Sequence, residues 1–367
     1  MVVSRDKRDA EGMVQQMLAA LPEDLARWGS LCAGVKDWGA IFDRAGKHGV
    51  AAVLYHYLTQ LAIALPPEVE TGVKQQLTAE WLAQLRMRAA LEEALQALEA
   101  GGVRAVNLKG PVLAERLYEE PSLRPCSDID FLVALADLDR ATAALEAIGY
   151  QGPEWLLARY DRENTHHTHL YRADAPPLEL HFRAITAFGA IVPAEELLSR
   201  AMLYRTAAGR DVWVLSPEDE AFYLALHATR HLFLNVFWLY DLKLFLRRYP
   251  DLDWPLIAER ARSLRVMGAL SLAWEALDRQ LGVAVPERRY FRPRHKLLAG
   301  LARLTLAATA RQPPGSGRET AGRMLFRALL CDHPASSAWS FRHRLLRFAR
   351  RRAQRYLPWL VPEKWSA

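Results

Sequence analysis

Apolar residues recur three or four positions apart through residues 8–98, which is the spacing of one helix face. Gly49 interrupts this pattern and predicts a stop between two helices. The pattern resumes after Pro67 and continues to the glycine pair Gly101 and Gly102, where a long helix is expected to end. We therefore expect an all-helical region at the N-terminus.

Short apolar runs replace the helical pattern after the glycine pair. The segments VRAVNL (103–108) and DIDFLVAL (128–135) predict strands. Between them lies PVLAERLY, whose first residue, Pro111, stands where a helix can begin. A further helix is expected over residues 135–150, with Gly149 at its C-terminal end. This alternation predicts a small α/β unit.

The segment HHTHLYRADAPPLELHFRA predicts a β-hairpin. Its first strand is expected to reach about Arg172, and a turn with two prolines leads to a second strand from Leu178 to about Ala184. Side chains alternate along a strand, so those of Glu179, His181 and Arg183 are expected to share a face.

Helical spacing returns after Ser216, which is followed by a proline and two acidic residues, as is typical of a helix N-terminus. The pattern continues to about Leu281 with an interruption near residues 249–254, and it reappears over residues 294–310. The segment RQPPGSGRE (311–319) is expected to be an exposed loop.

Together these elements predict a mostly helical α+β fold, in which a small mixed sheet is flanked by N- and C-terminal helical regions. The chain has 367 residues, of which 51% are hydrophobic, so it can bury a substantial core divided into two or three units. We expect these units to be residues 1–100, 101–215 and 216–340, followed by a basic amphipathic tail, 341–367.

The formal net charge of +6 is concentrated in that tail. Residues 341–367 contain eight basic residues and one acid, so the rest of the chain carries a net charge of −1. The body of the protein therefore gives no global charge argument for a polyanionic partner. We favour a tail helix packed on the body, and contact with an anionic membrane surface or with nucleic acid is the alternative.

The three cysteines, Cys32, Cys126 and Cys331, are far apart and form no CxxC pair. This spacing argues against a disulfide framework and against a cysteine-rich zinc site, and it favours a reducing compartment. The N-terminus has no continuous apolar segment, and charged residues and histidines break the most apolar later stretch. We expect a cytoplasmic protein without a signal peptide or a membrane span.

Two acids in the second predicted strand are the first candidates for chemistry. Asp128 and Asp130 are expected to project from one face, in a run that otherwise looks buried. With a third acid from a neighbouring strand they could hold Mg²⁺, which prefers oxygen ligands and often binds substrate phosphates as well. Upstream, Lys109 and Gly110 form a turn between a strand and a helix, where glycine lets a phosphate approach the backbone and lysine can neutralise it.

Several segments within roughly residues 35–260 carry a family resemblance: LKG, SDIDFLV, LELHFR, LSPEDEAFYLALHATRH and WLYDLKLFL. They resemble a family of uncharacterised bacterial nucleotidyltransferases in the DNA polymerase β-like nucleotidyltransferase superfamily. The resemblance implies that Asp128 and Asp130 are metal ligands and that Glu179 is the third carboxylate. Candidates for the shell around them are Arg183, His227, His231 and Asp241.

The chain departs from the superfamily in the turn before the acidic strand. The usual turn is Gly-Ser or Gly-Gly, whereas here it is Lys109-Gly110, with 17 residues between Gly110 and Asp128. We therefore expect Lys109 and Arg124, which flank the acidic strand in sequence, to bind phosphate. His181 is expected to orient a substrate or to act as a base.

Three neighbouring histidines invite a zinc hypothesis. On a strand, His167 and His169 would share a face while His166 points away, and no cysteine lies nearby in sequence. We interpret them as the surface of a hairpin. An ion pair with Arg183 is likewise the alternative to a metal role for Glu179.

The hypothesis for function is the transfer of a nucleotidyl group from an NTP, such as ATP, to an unknown hydroxyl or phosphate acceptor, with Mg²⁺ or Mn²⁺ as the cofactor. The acceptor could belong to a small molecule, a peptide or a protein. One alternative is a transferase that uses a nucleotide-sugar or another diphosphate donor at the same metal site. Another is a catalytically degenerate protein that acts as an antitoxin-like or scaffold binding partner.

Overall fold

Helices dominate the fold and enclose one small mixed sheet, which confirms the predicted α+β class. The computed structural model describes residues 5–153, 162, 165–285, 288–293, 296–313 and 315–332. The predicted tail, 341–367, lies outside the described residues. Within the described ranges, none of the helices combines the length and the apolar character that a membrane crossing requires.

Five helices precede the sheet. They are Arg5–Ala20 (α1), Leu25–Ala33 (α2), Trp38–Lys47 (α3), Ala51–Gln60 (α4) and Pro67–Ala100 (α5). Asp37 caps α3 by accepting a hydrogen bond from the backbone N–H of Ala40. Gly49 has φ +69° between α3 and α4, and α5 ends at Gly101, so both predicted helix stops are confirmed.

The sheet has six short strands. They are Val106–Asn107 (β1), Ile129–Leu132 (β2), His167–Leu170 (β3), Leu178–His181 (β4), Met202–Arg205 (β7) and Asp211–Val214 (β8). A separate hairpin is formed by Arg183–Ala187 (β5) and Ala190–Pro193 (β6). The order in the sheet is β3-β4-β2-β1-β8-β7, in which β4 is parallel to β2, β1 is parallel to β8, and the other pairs are antiparallel.

The predicted strand from Leu178 to Ala184 is two strands in the structure. The chain leaves the sheet after His181, and Arg183 begins β5. The Arg183 guanidinium donates to the backbone carbonyls of Arg162 and Thr165, at 3.0 and 2.6 Å. The expectation that Arg183 continues the strand of Glu179 and His181 was therefore wrong, and its contacts stabilise the approach to β3.

Nine further helices follow β1 within the described residues. They are Pro111–Leu117 (α6), Leu138–Glu146 (α7), Ala194–Ser199 (α8), Pro217–Arg230 (α9), Phe237–Arg248 (α10), Trp254–Ser263 (α11), Met267–Leu281 (α12), Lys296–Thr309 (α13) and Gly317–Leu329 (α14). The predicted loop 311–319 is shorter than expected, because Ser316 caps α14 by accepting from the Glu319 N–H.

The two faces of β2 have different surroundings. Ile129 and Phe131 are fully buried in an apolar cluster with side chains of α5 and α7. Leu132 belongs to a second cluster, which joins the N-terminal helices to the C-terminal ones. Because side chains alternate along a strand, Asp130 lies on the face of Leu132. The domain boundaries at 100, 215 and 340 stay predictions.

Candidate active site

The turn before α6 places a cation against the acidic strand. Gly110 has φ +81° and ψ −141°, a conformation that favours glycine, and α6 begins at the next residue, Pro111. Lys109 Nζ lies 2.7 Å from Asp130 Oδ2 and 3.5 Å from Asp128 Oδ1. Both acids of the D-x-D motif therefore approach the same ammonium group, as expected for side chains on one face.

The third predicted carboxylate lies on the neighbouring strand. In the parallel pairing of β2 with β4, Asp130 is opposite Glu179. Asp130 is fully buried, whereas the Glu179 side chain is 20% exposed and opens to the cavity. Strand pairing thus brings together two acids that are 49 residues apart in sequence.

His181 stands between these two carboxylates. Its Nε2 is 3.1 Å from Asp130 Oδ1 and 3.3 Å from Glu179 Oε2. Burial opposes a charge on the imidazole, but the hydrogen bonds to Asp130 and Glu179 outweigh burial and raise the pKa of His181. His181 was predicted to orient a substrate or to act as a base. In the structure its Nε2 contacts two carboxylates of the protein.

The three carboxylates differ in the direction in which their surroundings shift the pKa. Burial alone would raise all three pKa values. The Lys109 ammonium outweighs it at Asp130, and the hydrogen bond from His181 outweighs it at Glu179, so the pKa values of both acids are lowered. At Asp128, burial and the charge of Asp130 prevail and raise the pKa. The surroundings of Asp130 and Glu179 therefore favour the ionised form of these two acids, whereas those of Asp128 favour it less.

The Arg124 guanidinium, which was predicted to bind phosphate, is hydrogen-bonded to a carboxylate of the protein. Arg124 is buried, and its Nε and Nη2 donate to the Asp241 carboxylate at 2.9 and 2.8 Å. Tyr118 Oη donates to the same carboxylate at 2.7 Å. Arg124 and Asp241 were both predicted to belong to the site; the structure pairs them with each other, and Arg124 lies at the wall of the cavity described next.

A cavity of about 450 Å³ opens over the acids and over one face of α9. The helical wall consists of Tyr223, His227, Arg230 and His231, and Trp238 from α10 lies against the two histidines. Burial lowers the pKa of His227 well below its usual range and that of His231 to about 3, so both imidazoles are neutral. Both histidines, named from the sequence as candidates for the shell around the acids, line this cavity.

Sequence analysis missed Tyr223, Arg230 and Trp238 as cavity residues. Tyr223, His227 and Arg230 are spaced four and three residues apart, as on one helix face. This spacing relative to His227 is the signal that could have identified Tyr223 and Arg230. Arg230 Nη1 is 2.7 Å from His166 Nε2, so this cation is held against the start of β3.

The histidines of β3 lie beside the acids. In the antiparallel pairing of β3 with β4, His167 is opposite His181 and His169 is opposite Glu179. Burial and the neighbouring His181 lower the pKa of His167 to about 3. The interpretation of this cluster as the surface of a hairpin is correct for the exposed His169, but His167 lines the cavity.

The sequence model of a family of uncharacterised nucleotidyltransferases matches residues 35–282, from the region of α3 to the end of α12. The chain belongs to this nucleotidyltransferase family. The match covers two thirds of the chain and includes the acidic strand, the Lys109 turn and the helical wall, so this protein is a member of a family of transferase enzymes. Among curated proteins, no sequence matches the nucleotidyltransferase described here.

Solved structures give loose matches to this nucleotidyltransferase. The crystal structure of ANT(2″)-Ia with adenylyl-2″-tobramycin is 18% identical, covers 47% of this chain and 91% of its own, and has a TM-score of 0.31. An antigenic nucleotidyltransferase-like protein from Paracoccidioides brasiliensis is 14% identical, covers 53% of this chain and 93% of its own, and also has a TM-score of 0.31. Superpositions this loose carry no inference about the substrate.

Proposed function

We propose that this enzyme transfers a nucleotidyl group from an NTP, with ATP among the candidate donors, to a hydroxyl or phosphate acceptor and releases pyrophosphate. The observation that carries the proposal is the placement of Asp130 and Glu179 on neighbouring parallel strands, facing Lys109 at the wall of one cavity. Anionic oxygens and a buried cation in one cavity are suited to a metal-bound polyphosphate.

The acids suit Mg²⁺ or Mn²⁺. One ligand atom each of Asp130, Glu179 and His181 lies within 4.8 Å of the others, and Asp128 adjoins them through Lys109. Two ionised carboxylates provide the oxygen donors that such cations prefer. We assign Asp128, Asp130 and Glu179 as metal ligands; a bound cation supplies neutralisation of phosphate charge and activation of the acceptor.

The groups around the acids have separate tasks in this proposal. Lys109 holds the Asp130 carboxylate in place and, through its position at the Gly110 turn, reaches the phosphates of a donor. Arg230 and Arg124 both line the cavity; we assign phosphate charge to Arg230, and phosphate binding by Arg124, which is paired with Asp241, stays a prediction. His181 is a positioning residue, since its Nε2 bridges the two acids.

Other expectations from the sequence stay part of the proposal. The acceptor belongs to a small molecule, a peptide or a protein, and the location is cytoplasmic, in keeping with the free cysteines Cys32, Cys126 and Cys331. Contact between the segment 341–367 and an anionic surface also stays a prediction.

The test is to incubate the protein with Mg²⁺, fractionated cell extract and, in separate reactions, each NTP labelled at the α- or the γ-phosphate. We expect label transfer from the α-phosphate. Losing about 3 kcal/mol of charge stabilisation lowers a rate by about 100-fold, so Glu179→Gln and Asp130→Asn are expected to transfer at most about 1% of the wild-type label. Asp211→Asn, in the exposed edge hairpin, is the matched control and should retain activity.

Each other outcome contradicts the proposal in a distinct way. Transfer from the γ-phosphate indicates a phosphoryl transferase, and transfer only from a nucleotide-sugar labelled in its sugar supports the alternative donor. Absence of transfer from every donor, together with a nucleotide-induced rise in melting temperature, supports the binding protein. Transfer that is equal in the wild type and in Glu179→Gln removes the assigned site.

A further inference from the structure

The β3 histidines form a second group of metal-ligand atoms beside the carboxylates. His167 and His169 project from the same face of β3, and their Nε2 atoms are 3.2 Å apart. From β4, Glu179 Oε2 is 3.8 Å from His167 Nε2, and Glu179 Oε1 is 3.5 Å from His169 Nδ1. Two imidazoles and one carboxylate thus surround one point at the edge of the cavity.

These separations are of the size found within a tetrahedral coordination shell, although they join different atoms: His169 is measured from Nε2 to His167 and from Nδ1 to Glu179. A cation bound at about 2.0–2.1 Å by tetrahedral ligands keeps its ligand atoms about 3.3 Å apart. One ligand atom from each of His167, His169 and Glu179 lies within 4.8 Å of the others, so shifts of the side chains alone would bring them to coordination distance. Three protein ligands would leave one tetrahedral position open, which is the arrangement of many zinc sites that also bind water or substrate.

Two neighbouring histidines are less suited to this group. His166 Nε2 faces the Arg230 guanidinium at 2.7 Å, and a positive neighbour disfavours a second cation at that nitrogen. His181 Nε2 lies between Asp130 and Glu179 and therefore belongs to the carboxylate site.

We propose that His167, His169 and Glu179 bind an imidazole-preferring divalent cation of the Zn²⁺ class, next to the carboxylate site, with which this second site shares Glu179. Imidazole ligands select Zn²⁺, Co²⁺ or Ni²⁺, whereas a site made of carboxylates suits Mg²⁺ or Mn²⁺. Glu179 adjoins both sites, since one of its oxygens faces His169 and the other faces His181. The proposal does not depend on nucleotidyl transfer, because metal binding is measured without a nucleotide.

The test uses Co²⁺ as a coloured substitute for Zn²⁺. The purified full chain is titrated with Co²⁺ in an excess of Mg²⁺, and the visible absorption of nitrogen-bound Co²⁺ is recorded; Zn²⁺ affinity follows from competition with a chelating dye. We expect one equivalent of Co²⁺ to give a visible band that Zn²⁺ removes. His169→Ala, at an exposed position, should weaken Zn²⁺ binding by at least about tenfold.

His56→Ala is the matched control. His56 Nε2 also faces a carboxylate, Glu119 Oε2 at 3.1 Å, but in α4 and far along the chain from β3, so this variant should bind Co²⁺ like the wild type. Unchanged affinity in His169→Ala, or absence of the visible band in the excess of Mg²⁺, would overturn the proposal. Retention of the band in Asp130→Asn with loss of label transfer distinguishes this site from the proposed catalytic one.

Discussion

Lys109 Nζ lies 2.7 Å from Oδ2 of Asp130, a carboxylate that is fully buried. Lysine and aspartate come from adjacent antiparallel segments, the turn after β1 and the middle of β2. The charge of Asp130 outweighs burial and raises the pKa of Lys109, and Lys109 lowers that of Asp130 in turn. Each of the two charges therefore offsets the cost of burying the other.

Breaking this pair is expected to destabilise the fold strongly. Lys109→Met leaves the Asp130 charge buried, with the His181 imidazole as its remaining polar neighbour, and should lower the free energy of unfolding by about 3 kcal/mol. Adding Asp130→Asn removes the buried charge, so the double variant should lose less than the sum of the two single losses. Urea denaturation of the four proteins measures this coupling; strictly additive losses would contradict it.

The Arg124–Asp241 pair gives a direct test between the sequence-based role and the structural one. Arg124→Met leaves Asp241 buried beside Tyr118, and it should cost about 3–5 kcal/mol of unfolding free energy. Arg104→Met is the control, since Arg104 is exposed and stacks on Trp213, and it should cost about 1 kcal/mol or less. Unchanged stability with a raised KM for the NTP would restore the phosphate role of Arg124.

Gly110 is expected to resist substitution because of its backbone and not for lack of space. A Cβ on Gly110 would meet Asp128 O at 3.6 Å, an ordinary contact, but φ +81° with ψ −141° is a conformation that costs other residues about 1–3 kcal/mol. Gly110→Ala should therefore lower the melting temperature. Gly72→Ala, in the exposed interior of α5 with open space around it, should raise stability by about 0.5–1 kcal/mol. Equal effects of the two changes would contradict this account.

His231 makes stability depend on pH. Burial, with Arg230 and Arg327 nearby, lowers the pKa of His231 to about 3, whereas the unfolded chain protonates it near 6.5. Between these values the unfolded state binds more protons, so stability falls as the pH drops below about 6.5. His231→Gln should lose about 1–2 kcal/mol less than the wild type between pH 8 and pH 5. Denaturation at both pH values checks this; equal losses would mean that His231 does not contribute.

Local rules were sufficient for the predicted α/β alternation and for several helix ends. Pro67, Gly101 and Ser216 mark boundaries through backbone geometry and capping, which depend on adjacent residues alone. The hairpins β5–β6 and β7–β8 were missed, because their short strands do not alternate clearly; Met202 and Leu203 are both exposed. The stability of such strands comes from their partners in the fold.

The sequence by itself determined the chemical inventory of the site: two acids one residue apart, a Lys-Gly turn before them and a Glu-x-His strand after them. Only the tertiary structure decided which charged side chains contact each other. It paired Arg124 with Asp241, 117 residues away, and placed His167 and His169 beside Glu179. The physical reason is that a buried charge is stabilised only by a partner within a few ångströms. Strand register and helix packing between segments that are remote in sequence decide which side chain lies that close.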